Sequence, residues 1–142
     1  MKPIFATVIT LATISSAAFY PQTAAQQPDS SATAKHESPF ACNRLALTPE
    51  QRKRHFDELS PALRSLKTGV RELPDGFEFK FPADMKTYEL LAEWTAGERL
   101  CCPFFDIDLR SEREGGPVWL RLTGRDGVKP FIAADFVKWF HP

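Results

Sequence analysis

Beyond residue 40, apolar positions along the chain switch between helical spacing and strict alternation. Thr48-Pro49-Glu50-Gln51 opens the first helical stretch. Threonine offers a capping oxygen, proline suits the first helical position, and Gln51 completes a capping box. Phe56, Leu59, Leu63, Leu66 and Val70 then recur every three or four residues and give one apolar face. Pro61 interrupts that face. It either kinks the helix or starts a second one with Ser60 as its cap, and Gly69 marks the end. Pro74-Asp75-Gly76 is a turn. After it Phe77, Phe79 and Phe81 alternate with Glu78 and Lys80, which predicts a half-buried strand ended by Pro82.

A second helix is expected over residues 84–101. Tyr88, Leu91 and Thr95 share one side of it, and Leu90, Trp94 and Cys101 an adjacent one. Gly97 inside this helix costs about 1 kcal/mol relative to alanine, which points to another element packing closely there. Pro103 stops the helix and pushes Cys102 out of helical geometry. Phe105, Ile107 and Leu109 alternate with charged residues, as do Val118, Leu120 and Leu122 with Trp119, Arg121 and Thr123. The loop 112–117 between them carries Gly115-Gly116, so the two runs read as an antiparallel hairpin. Gly124 to Gly127 form the next turn. A last helix follows with Val128, Phe131, Ile132, Phe136, Trp139 and Phe140 on its apolar side, and Pro130 in its first turn. The order α-β-α-β-β-α predicts an α+β fold: a small antiparallel sheet of about three strands with helices packed on one face.

The residues before this pattern have a different character. Lys2 precedes an uncharged apolar or small run from Ile4 to Phe19, and Thr23-Ala24-Ala25 supplies small residues for cleavage. Residues 1–25 therefore read as a signal peptide, with a cut after Ala18 as the alternative. Residues 26–39 are polar and small and read as a disordered linker. The single α+β domain is expected over residues 40–142, which is enough for one core. This places the protein in the periplasm or outside the cell, with no integral membrane segment once the signal is cleaved. The 18 Lys and Arg residues balance 18 Asp and Glu. With no basic stripe, nucleic acid and anionic lipid are not supported as partners.

Chemistry concentrates in the three cysteines, Cys42, Cys101 and Cys102. An oxidising compartment favours even, paired cysteines, so at least one thiol here is free or shared with another molecule. Neighbouring helical residues point about 100° apart and would not converge on one ion. Pro103 ends the helix at the pair, so Cys102 can turn with the new chain direction. If Cys42 lies close in the fold, three thiolates make a soft site for a thiophilic metal ion or metalloid. Glu98, one turn before the pair, could orient a thiol or join a metal shell, and Arg99 could stabilise a thiolate. The plainer reading is a structural or interaction domain whose cysteines are packed or disulfide-bonded, since free cysteine often behaves as a small hydrophobe. A thiol-redox role ranks third. Redox cysteines favour the positive end of a helix, whereas this pair sits at the C-terminal end. The histidines His36, His55 and His141 have no metal-ligand spacing to the cysteines, and His55 is expected to be exposed on the first helix. No phosphate loop, nucleophile elbow or paired carboxylate signals an enzyme.

The segments "CNRLALTPEQRKRH", "ELPDGFEFKFP", "AEWTAGERLCCPFFDIDL" and "VWLRLTGRDGVKPFI" resemble a family of small bacterial proteins with a Glu-x-x-Cys-Cys-Pro-Phe motif and no established activity. The resemblance runs from Cys42 to Phe131. It implies that Cys42, Glu98, Cys101, Cys102, Pro103 and Phe104 are the pattern positions, and it implies no reaction. The signal peptide and linker set this chain apart from plainer members.

Overall fold

The computed structural model describes residues 37–141. The expected signal peptide, residues 26–36 of the expected linker and His36 lie outside the described residues.

Thr48 accepts from the Gln51 N–H at 3.2 Å while the Gln51 side chain accepts from the Thr48 N–H at 2.9 Å, the expected capping box. Helix α1 (Pro49–Lys53) runs into a π-helical turn over Arg54–Leu59 and then into α2 (Ser60–Leu66). Pro61 therefore does not begin a separately capped helix, since Leu59 and Ser60 keep helical geometry and no side chain caps α2. A proline ring clashes with the carbonyl four residues back, and it has no N–H to give. Widening the preceding turn removes that conflict: the Ser60 N–H reaches back five residues to the His55 carbonyl, which the Ser60 hydroxyl also bonds at 2.8 Å.

The helix stops at Leu66, before the expected end. Lys67 is extended at φ −61°, ψ 126°, and Thr68 donates its N–H to the Lys80 carbonyl. The chain then forms a strand that periodicity did not reveal, β1 (Gly69–Glu72). Val70, expected on the helix, lies opposite Phe79 and is partly exposed at the sheet edge. The turn at Pro74-Asp75-Gly76 leads to β2 (Gly76–Phe81). Helix α3 (Met85–Cys101) begins where Asp84 accepts from the Thr87 N–H at 2.9 Å. The hairpin of β3 (Asp106–Ser111) and β4 (Val118–Thr123) is present as expected. The sheet thus has four antiparallel strands in the order β1-β2-β4-β3, one more than expected, and the fold is α+β.

Register puts Phe77, Phe79 and Phe81 opposite Leu122, Leu120 and Val118. All six are buried on one face. The other face carries Arg71, Glu78, Arg121 and Trp119, where Arg71 pairs with Glu78 at 2.8 Å. The last helix, α4 (Val128–Asp135), is shorter than its apolar pattern suggested. Phe136 leaves helical geometry, and a 3-10 turn, Val137–Trp139, follows. That break lets Trp139 reach across the core. Its ring lies 5.3 Å from Phe79 on the sheet and 5.4 Å from Trp94 on α3. Each such buried aromatic contributes roughly 1.5–3 kcal/mol through the area it removes from water. Trp94 is fixed further by donating its indole N–H to the Ser60 hydroxyl at 2.9 Å. The core therefore clamps α3 between the sheet and the first helical run. No described helix is long and apolar enough to cross a membrane.

Candidate metal centre

Along α3 the buried stripe is Leu90, Leu91, Trp94, Glu98 and Cys101. The same helical spacing that buries the apolar residues carries a carboxylate and a thiol into the interior. Helical geometry ends at Cys101. Cys102 takes φ −125°, ψ 67°, outside the α region that Pro103 disfavours, although its N–H still bonds the Glu98 carbonyl at 2.7 Å. Both sulfurs are buried: Cys101 is 0% and Cys102 1% exposed.

Cys42 arrives from the other end of the folded part. The N–H of Asn43 donates to the Cys101 carbonyl at 2.7 Å and clips this segment to the end of α3. Phe40 packs edge-on against Phe104, and Arg44 lies over Phe56. The outcome is that the sulfurs of Cys42, Cys101 and Cys102 all lie within 4.8 Å of one another, each a free thiol. The convergence on which the soft-site reading depended is present.

Their environments differ. Cys42 is only partly buried and lines a surface cavity of about 380 Å³ together with Glu98, Trp94 and Asp135. Hydrogen bonds from the Cys101 and Cys102 thiols, and the nearby charges of His55 and Arg44, hold its pKa well below the ordinary thiol range against the opposing effect of burial. At Cys101 the Cys102 thiol pulls the pKa down. Donation to Cys42, burial and the Glu98 charge outweigh that pull and leave it raised. Cys102 is raised by its bonds to Cys101 and Cys42, by burial and by Glu98. The trio therefore favours the thiolate form at the outer position, Cys42, and disfavours it at the two buried sulfurs behind it. Asp135, at the cavity rim, is raised by burial and by the Cys42 charge.

His55 overturns its expectation. It is 2% exposed, not a surface histidine, and Nε2 lies 2.8 Å from Glu98 Oε2. Its ring stacks on Trp94 at 5.5 Å and meets the edge of Phe56. Gly97 makes room for it, since a Cβ there would stand 2.5 Å from Nδ1. The close packing anticipated at Gly97 is thus a histidine ring. Glu98 Oε2 also lies 3.7 Å from Cys101 Sγ, so His55, Glu98 and Cys101 form a second set of potential ligands sharing one thiol with the first. Arg99 is turned to solvent. The arginine whose charge acts on a thiol is Arg44, which lines the cavity with Cys42 and which the sequence did not single out. His141 is exposed at the tail, where its carbonyl accepts from Lys67.

No family model, curated protein or solved structure matches the chain.

Proposed function

We propose that this protein is exported and binds a soft metal ion or metalloid through Cys42, Cys101 and Cys102. The observation that carries the reading is the mutual approach of three sulfurs, within 4.8 Å, from segments far apart in the chain. Packing alone needs no such triangle, and thiolates are the donors that thiophilic ions select. The cavity beside Cys42 supplies a route from solvent, and the buried His55–Glu98 pair fixes the inner wall. Export rests on the leader pattern of residues 1–25. A second reading has its own support. The complete burial of Cys101 and Cys102 suits a structural role, with Cys42 cross-linked to one of them in an oxidising compartment.

Intact mass spectrometry of the exported chain, under native and denaturing conditions and with thiol alkylation, separates the two. Binding predicts a metal or metalloid adduct that denaturation removes, and preferential alkylation of Cys42 in the empty protein. A mass two hydrogens short with a single alkylatable thiol would establish the structural reading instead.

A further inference from the structure

We infer that the three-sulfur centre is selective for a neutral trivalent metalloid hydroxide, such as arsenous or antimonous acid, over a divalent cation. The inference rests on the soft-site reading above and names its ligand class.

Charge is the first argument. Three thiolates around a divalent ion leave one net negative charge, whereas three around a trivalent centre leave none. The surroundings of the two inner sulfurs penalise the anion. Both side chains are removed from water, at 0% and 1% exposure. A Glu98 carboxylate oxygen lies 3.7 Å from Cys101 Sγ. The pair also sits at the C-terminal end of a 17-residue helix, where the dipole is negative. An uncompensated buried charge is strongly disfavoured in such a place, and a neutral complex avoids it. On the inner side His55 lies within 4.8 Å of Cys101 Sγ with its Nε2 taken by Glu98, and Arg44 lines the cavity on the Cys42 side.

Coordination number is the second. A structural zinc site takes four ligands in a tetrahedron. Here the close set is three sulfurs. Glu98 groups with Cys101 and His55 rather than with all three thiols, and its Oε2 is already bonded to His55. Three donors satisfy a trivalent metalloid, which forms three bonds and keeps a lone pair.

The exchange balances without any redox partner. One E(OH)₃ molecule and three Cys–SH groups give E(S–Cys)₃ and three waters. Three E–O and three S–H bonds break, and three E–S and three O–H bonds form. No electron is transferred and no net proton is released; where Cys42 reacts as thiolate, the hydroxide it displaces takes up one solvent proton. Cys42, the sulfur that lines the cavity, makes the first bond, and the buried pair completes the cage.

The test uses the full chain, reduced, with sodium arsenite, Cd²⁺ and Zn²⁺ as probes, read by native mass spectrometry and thiol counting. The expected result is one arsenic per chain, a mass gain of arsenic less three hydrogens, and loss of all three alkylatable thiols. Equimolar Cd²⁺ or Zn²⁺ should not displace it. Displacement by either ion, or arsenite tied to only two sulfurs, overturns the selectivity. Divalent binding without arsenite binding also overturns it and leaves the soft-site reading standing. Binding of none of the three probes sinks both. A variant tests the charge directly: Glu98→Gln should raise Cd²⁺ affinity relative to arsenite by at least about tenfold, because it removes the carboxylate beside Cys101. A fall in relative Cd²⁺ affinity would make Glu98 a ligand and refute the charge argument.

Discussion

A methyl group added at Gly97 would have to push aside a histidine ring held by three neighbours. Trp94 stacks on His55, Phe56 abuts it, and Glu98 binds its Nε2. Gly97→Ala gains about 1 kcal/mol of helix propensity and loses about 1–3 kcal/mol to overpacking. A net destabilisation is expected in chemical denaturation, and a stabilised variant would show that the ring moves freely. At this scale the sequence was half legible. Gly97 stood out as a costly residue within a helix, which foretold a close neighbour. Nothing local identified that neighbour. His55 looked like a surface residue because its burial depends on a widened turn and on a glycine in a different helix.

The elements explain why such residues meet. Capping at Thr48 fixes the start of the run that carries His55, and Thr48→Ala should cost about 1 kcal/mol of stability, measurable as a lower denaturation midpoint. Unchanged stability would mean that tertiary packing, not the cap, sets that boundary. The capping box, β2, α3 and the β3–β4 hairpin were legible, because each has a period or a terminal signal of its own. Two elements were not. β1 is short and partly exposed, so it has little alternation to display; it forms because Thr68 and Gly69 to Glu72 can pair with the free edge of β2. The apolar pattern after Val128 continues to Phe140, yet the helix stops at Asp135 because Trp139 is drawn to Phe79 and Trp94.

Across the whole molecule, the three thiols impose a pH dependence whose sign can be worked out. Cys42 has a lowered folded pKa. Its contribution is present above the ordinary thiol pKa, about 8.5, and is lost as pH falls toward the folded value. Cys101 and Cys102 are raised. Theirs is present below about 8.5 and is lost as pH rises. The combined term climbs with pH by one proton below that point and falls by two above it, each proton worth about 1.4 kcal/mol per pH unit. Urea unfolding of the reduced chain from pH 6 to 10, compared with the variant carrying Cys→Ser at all three positions, should show this peaked difference. A difference that rises steadily to pH 10 would contradict the pKa pattern. The centre itself was only conditionally legible. Cys101 and Cys102 announced themselves as a pair, but whether Cys42 joined them depended on a tertiary contact that no spacing encodes.

That contact is made from main chain to main chain, Asn43 N–H to Cys101 C=O. Every residue except proline carries the donor, so side-chain drift at position 43 would leave the approach of Cys42 untouched. The centre is in this respect robust to substitution along the very loop that delivers its outer sulfur. Chains preserving three thiols, a buried acid and a gap for an imidazole could diverge widely there and still share its chemistry.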